Sequence, residues 1–222
     1  TPDFENPADA NTNNDYSLNV VASDGTNSDT EAIIVNVTDT NDNSPVLSVS
    51  TPYSVAENTT TVTTVSATDA DAGATITFSL TGTDAAKFAI NSETGAITFQ
   101  AAPDFETPDS AASSNAYSLN VVASDGTNSD TEAIVVNVTD ADDNSPVLTV
   151  ETPYSVAEGV TTVATVSAAD ADAISTITFS LTGTDAADFA INSSTGAITF
   201  QAAPDFETPD SAASSNAYSL NV

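Results

Sequence analysis

Cysteine, histidine, methionine and tryptophan are absent from this 222-residue chain, and Lys87 is its single basic side chain. Without cysteine there is no disulfide, no zinc–thiolate centre and no cysteine nucleophile, and the redox compartment leaves no trace. Without His, Cys or Arg, the nucleophile–base pairs and phosphate-binding groups that active sites rely on cannot be assembled. With no basic patch to neutralise phosphate, nucleic acid and anionic membrane surfaces are excluded as partners. No apolar run approaches the ~20 residues that span a bilayer, so no membrane insertion is expected in this segment. No signal peptide is visible either, so an export signal, if there is one, lies outside it.

What the chain does have is acid: 32 Asp and Glu, for a formal charge of −31. It is still 40% hydrophobic, and its apolar residues fall in β-branched, strand-like runs, which is not the composition of a disordered acidic tail. A folded protein must therefore tolerate this charge, either on a salt-adapted surface or gathered around counter-ions. A salt-adapted surface would put carboxylates on exposed strand faces, and those faces are mostly Thr, Ser and Asn.

An internal repeat decides the organisation. Asp3, Phe4 and Glu5 recur as Asp104, Phe105 and Glu106, and the Tyr-Ser-Leu-Asn-Val run at Tyr16 returns at Tyr117 and Tyr218, always at an offset of 101 residues. Residues 103–121 are identical to 204–222. Segment 46–146 is one complete unit, 1–45 the C-terminal part of a preceding unit, and 147–222 a following unit without its last strands. The chain thus reads as a window on a longer array, whose cut halves cannot bury a core alone and are expected to be completed by neighbouring chain or by another copy.

Within the complete unit the period-2 alternation predicts seven strands, at 53–57, 61–67, 75–80, 88–90, 96–99, 117–123 and 133–138, separated by Gly, Pro, Asn and Asp turn signals. The only candidate helical turn is 84–87. Seven short strands in ~100 residues specify an all-β chain of tandem seven-stranded Greek-key β-sandwiches, joined end to end. Asp84, Glu93, Asp109 and Asp130 are read as ordinary surface turn residues.

At 35–45 an alternating apolar strand runs into Asp39, Thr40, Asn41, Asp42 and Asn43 and stops at Pro45; at 136–146 the same pattern carries Asp140, Ala141, Asp142, Asp143 and Asn144. Asp, Asn and Pro are poor ladder residues, so strand gives way there to an oxygen-rich connector. Hard cations such as Ca²⁺ take six to eight oxygens from Asp, Glu, Asn and carbonyls. Paired carboxylates could also hydrolyse glycosides, but a catalytic pair is normally unique within a fold and these recur in every unit, so no enzyme is expected.

These motifs resemble the cadherin repeat, of the tandem kind found in large bacterial surface proteins. The residues that carry the likeness are Ala56, Glu57 and Asn58; Asp69, Ala70 and Asp71; Pro103, Asp104, Phe105 and Glu106; Ala123, Ser124, Asp125 and Gly126; and the two linkers. The resemblance implies calcium-binding linkers, with about three Ca²⁺ at each junction between domains. At the first, the ligands would be Asp3, Glu5, Asp39, Asn41, Asp42, Asp69, Asp71 and Asp125, with backbone carbonyls of Thr40 and Asn43. At the second they would be Glu57, Asp104, Glu106, Asp140, Asp142, Asp143, Asn144, Asp170 and Asp172, with Ala141 offering only its backbone. The tryptophan that vertebrate cadherins swap between partners has no counterpart here. The expected function is a calcium-dependent extender segment of a secreted or cell-surface adhesin, whose partners are the neighbouring repeats and other copies of itself. The alternatives are a direct cell–cell or carbohydrate recognition module and a subunit of an extracellular filament.

Overall fold

The computed structural model describes residues 1–222, which divide into two units, Thr1–Thr139 and Asp140–Val222. In the first unit, β1 (Asp15–Ser23) and β2 (Ser28–Asn36) pair antiparallel, from Asp15 opposite Asn36 to Ser23 opposite Ser28. Asp24 Oδ1 caps the turn, accepting the Thr26 and Asn27 amides at 2.8 and 2.7 Å. As the sequence implies, this hairpin buries no core: Leu18, Val20, Val21, Ile33, Ile34 and Val35 all lie exposed. Its ladder nevertheless forms with no third strand, because the two strands are close in sequence and the turn satisfies its own backbone.

The complete repeat follows as β3 (Val46–Ser48), β4 (Tyr53–Ala56), β5 (Thr61–Thr64), β6 (Ser66–Thr68), β7 (Thr77–Thr81), β8 (Phe88–Ile90), β9 (Ala96–Phe99), β10 (Ala116–Ser124) and β11 (Ser129–Thr139). Nine segments thus stand where seven were expected. β3 is too short to show a period. The run 61–67 breaks at Val65, where the chain passes from β9, the partner of β5, to β3, the partner of β6. Gly95 permits the crossing: its φ is +72°, and a Cβ there would stand 2.4 Å from the Val65 carbonyl oxygen. The single 3₁₀ turn, Ala85–Lys87, lies within the expected helical stretch.

One sheet has the order β4-β11-β10-β7 and the other β5-β9-β8, with β3 and β6 paired separately. All these pairs are antiparallel except β4 on β11, so the first long strand returns beside the last and the Greek key closes. Alternate residues of β10 and β11 (Tyr117, Leu119, Val121, Ala123; Ile134, Val136, Val138) are buried against Val55, Val65, Phe78, Phe88, Ile97 and Phe99. At the centre Phe88 and Phe99 lie 4.3 Å apart, and both meet Tyr117 edge-on. Burying the Tyr117 ring strands its phenol unless it finds an acceptor, and Asp109 Oδ1 takes its hydrogen bond at 2.9 Å.

Asp84 departs from its reading as a surface turn residue. It is buried, its Oδ1 accepts the Ala111 amide and its Oδ2 the Ser118 amide, each at 2.7 Å, so it pins the long loop before β10 to the sheet. Asp130 is likewise structural: its Oδ2 accepts the Leu47 amide at 2.9 Å.

The second unit repeats this plan in part, with β12 (Val147–Thr149) paired to β14 (Ser167–Ala169) and β13 (Thr162–Thr165), β16 (Ala197–Phe200) and β15 (Phe189–Ile191) forming a sheet in that order. Its aromatic centre, Phe189, Phe200 and Tyr218, has nearly the spacing of the first. Residues 217–222, which correspond to the start of β10, form no strand but a single antiparallel bridge of Asn221 to Thr182, and a cleft of about 790 Å³ lined by Leu148, Tyr154, Phe200, Tyr218 and Leu220 lies beside them.

Candidate metal centre

Four separate stretches of the first unit deliver carboxylates to one place. Glu5 comes from the loop before β1, Asp39 from the linker after β2, Asp69 and Asp71 from the loop after β6, and Asp125 from the β10–β11 turn. One oxygen each from Glu5, Asp39 and Asp71 lie within 4.8 Å of one another, as do one each from Asp69, Asp71 and Asp125. Asp71, shared by both groups, is the most enclosed, at 6% exposure.

Local geometry aims these groups. Asp125 Oδ1 is occupied within its turn, accepting the Thr127 and Asn128 amides at 2.6 and 2.7 Å, and these N–H groups hold its carboxyl below the usual range. The linker is fastened to the loop after β6: the Asn43 backbone and side-chain amides donate to the two oxygens of Asp71 (3.0 and 2.8 Å), and the Ala72 amide donates to Asp39 Oδ2 (2.7 Å). The Asn128 side chain donates to the Asn43 carbonyl at 2.7 Å.

The donor set fits a hard cation. Asp39 Oδ1 and Asp69 Oδ2 are buried and accept no hydrogen bond. The Asn41 side-chain amide lies against both clusters, its nitrogen donating to Asp125 Oδ2 at 2.9 Å and to Asp71 Oδ2 at 3.2 Å. Three carboxylates with oxygens within 4.8 Å of one another repel unless a positive charge lies among them. No protein cation is at hand, because Lys87 is paired with Asp109 at 2.7 Å. The strain shows at Glu5, whose carboxyl is pushed up by desolvation and by the charges of Asp39 and Asp71. The donors are all oxygen, as Ca²⁺ requires.

Of the other residues expected at the first junction, Asp3 and Asp42 stay outside both groups. Asp3 Oδ1 accepts the Asn6 amide at 3.0 Å and Asp42 Oδ1 the Asn43 side chain at 3.1 Å. Thr40 is exposed.

The residues expected at the second junction belong partly to each unit. In the first unit Glu57 is buried, its Oε2 accepting the Phe105 amide at 2.7 Å beside half-buried Glu106; Asp104 is exposed, and the Thr107 hydroxyl holds its carboxyl down. In the second unit the linker is fastened as before: Asn144 donates to both oxygens of Asp172 (2.9 and 2.8 Å), the Ala173 amide to Asp140 Oδ2 (2.7 Å), and the Asp172 amide to Asp170 Oδ1 (3.1 Å). The Asn144 amide is the main cause of a lowered Asp172 carboxyl. Asp142, Asp143 and Ala141 lie on this same linker, Asp142 exposed.

A third group was missed by the sequence reading. Glu158, Asp205 and Glu207, all exposed, bring oxygens within 4.8 Å of one another. They stand 101 residues after Glu57, Asp104 and Glu106, and that offset was the signal that could have found them.

Residues 51–139 match the cadherin domain family. This segment is a cadherin domain. Among relatives, the human "Cadherin EGF LAG seven-pass G-type receptor 2" is 40% identical over 150 residues, 63% of this chain, and human "Protocadherin Fat 4" is 37% identical over 201 residues, 83% of it. The chain spans only 5% and 4% of the length of these two relatives. Among solved structures, "Crystal structure of human CDH23 EC21-23" aligns with a TM-score of 0.66 and 25% identity over 87% of this chain and 66% of that one. "Protocadherin gammaB7 EC3-6 cis-dimer structure" aligns with a TM-score of 0.65 and 25% identity over 88% and 52%. The fold is therefore that of cadherin extracellular repeats, which are non-enzymatic adhesion modules found outside the cell or on its surface. Ca²⁺ is the cation that cadherin domains generally bind. The chain has no helix long and apolar enough to cross a membrane.

Proposed function

We propose that the chain is a calcium-stiffened extender: a stretch of cadherin repeats that holds an adhesive end of a larger surface protein away from the cell. The observation that carries this reading is the convergence of carboxylate oxygens from Glu5, Asp39 and Asp71, and from Asp69, Asp71 and Asp125, each trio within 4.8 Å of one another, with no protein cation among them. Ca²⁺ would be held there by Glu5, Asp39, Asn41, Asp69, Asp71 and Asp125, with carbonyl oxygens from Thr40 and Asn43 and outer contributions from Asp3 and Asp42. The repeat offset extends the reading to Glu57, Asp104, Glu106, Asp140, Asp142, Asp143, Asn144, Asp170 and Asp172, at about three ions per junction. The cation supplies positive charge, under which groups that repel one another become cross-links. Two carboxylates ~4 Å apart cost about 1 kcal/mol in water and ~4 kcal/mol at an effective dielectric of 20.

Each linker is fastened to the loop after it, which supports a linker that moves with the repeat that follows. Extracellular calcium modules bind at ~10⁻⁴–10⁻³ M, so the array would be loose in a calcium-poor compartment and stiff outside. Near-identical neighbouring copies support a spacer, since a recognition site would be found on one specialised unit. They also support a large bacterial adhesin as the parent, although the relatives above are animal proteins.

Small-angle scattering of the 222-residue chain tests the proposal. Calcium should give a longer, stiffer particle than chelator does, and identical curves in the two conditions would sink it. The cis-dimer among the similar structures supports a second reading, association between copies, which sedimentation in calcium would reveal as a concentration-dependent dimer.

A further inference from the structure

The two linkers are not equivalent. Where the first has Asn41 the second has Asp142, and 33 residues on, where the first has Ala74, the second has Ser175. The two changes meet in space: the Ser175 hydroxyl donates to Asp142 Oδ1 at 3.0 Å. Asp142 and Asp172 lie within side-chain reach of each other, as Asn41 and Asp71 do in the first unit. Asp172 is 4% exposed and keeps both bonds from Asn144, so the frame around the substitution is unchanged.

Resting on the calcium reading above, we infer that this pair of substitutions grades the array. Asp142 gives the second linker one more negative charge than Asn41 gives the first, and Ser175 holds that carboxylate in place. Ligand charge count is one of the two means by which calcium sites of otherwise similar design are set decades apart in affinity. An amide oxygen contributes a dipole, whereas a carboxylate contributes a full charge and retains free lone pairs after accepting one bond from Ser175. Repulsion from the neighbouring acids is present with and without the cation, whereas attraction to the doubly charged ion exists only when it is bound, so the net effect is tighter binding, by about tenfold. Junctions along the array then fill in sequence rather than together as calcium rises, and the chain stiffens in steps.

An amide-resolved NMR calcium titration of the 222-residue chain tests this, with the Gly73 amide reporting the first linker and the Ile174 amide the second. Asp142→Asn should raise the calcium midpoint read at Ile174 about tenfold and leave that at Gly73 unchanged. Asn41→Asp should lower the midpoint at Gly73 by a similar factor. Ser175→Ala, which frees Asp142 without removing its charge, should raise the midpoint at Ile174 by less than Asp142→Asn does. A change under twofold at its own linker for either charge substitution, with calcium still binding, overturns the inference. Absence of any calcium-dependent shift at both reporters in the parent chain overturns the underlying calcium reading instead, and with it the inference.

Discussion

Asp71→Asn separates the two roles of the most enclosed carboxylate in the first cluster. The substitution keeps the shape and one oxygen but removes the charge shared by both groups of acids. Without metal, two consequences oppose each other. Part of the hold of Asn43 on Asp71 is lost, and a hydrogen bond to a charged group contributes about 1.5–3 kcal/mol. Repulsion from the neighbouring acids is relieved, by roughly 1–4 kcal/mol for a pair ~4 Å apart across the range of effective dielectric that applies at a half-open site. The two are similar in size and opposite in sign, so in chelator the variant should melt within about 3 °C of the parent. In calcium nothing offsets the loss. A ligand at 100 times its dissociation constant, ~10 mM for a site of ~10⁻⁴ M, stabilises the folded state by about 2.7 kcal/mol. At about 2–4 °C per kcal/mol for a domain of this size, removing that binding should erase a calcium-induced rise of about 5–10 °C. The assay is thermal unfolding of parent and variant with calcium and with chelator. Equal destabilisation in both conditions would make Asp71 a purely structural acid and refute the reasoning.

Three further substitutions or conditions test the frame that positions the cluster. Gly95→Ala forces a Cβ against the Val65 carbonyl at a positive φ, and should destabilise the repeat by about 2 kcal/mol or more in denaturant unfolding; a neutral result would mean the crossing from β5 to β6 relaxes freely. Asp84→Ala removes the acceptor of the Ala111 and Ser118 amides and should cost about 1–3 kcal/mol, whereas a surface turn residue would cost under ~0.5. The Tyr117 phenol is pushed up to about 12, first by burial and then by Asp109. An acid whose pKa is raised in the folded state favours folding in its neutral form. Stability should therefore be full below the ordinary value of 10 and fall as the pH rises from there to about 12, a fall that Tyr117→Phe lessens. Denaturant unfolding across that pH range reads it directly.

Much of the fold was legible because a half-buried sheet imposes a period of two on its residues. Tyr117, Leu119 and Val121 alternate along β10 with Ser and Asn, and they are among the most buried side chains in the molecule. Short or broken strands were not legible: β3 has only three residues, and the crossing at Val65 looks like a continuing strand until Gly95 is found beneath it. Asp84 resembled any other turn aspartate, since sequence does not show that two amides from 27 and 34 residues away need its oxygens. The candidate site was legible as a set of recurring acids, yet Asp3 and Asp42 share the motifs without joining either group.

Residue types at a 101-residue repeat were enough to determine β-sandwiches, tandem units and an all-oxygen set of candidate ligands, because alternation and composition are local properties of the chain. Only the tertiary structure decided which acids converge, since Glu5, Asp39, Asp71 and Asp125 come from loops up to 120 residues apart, brought together by how the linker is fastened. It also decided that the Asn41 side chain lies against Asp71 and Asp125, a contact set by groups that are distant along the chain and adjacent in space.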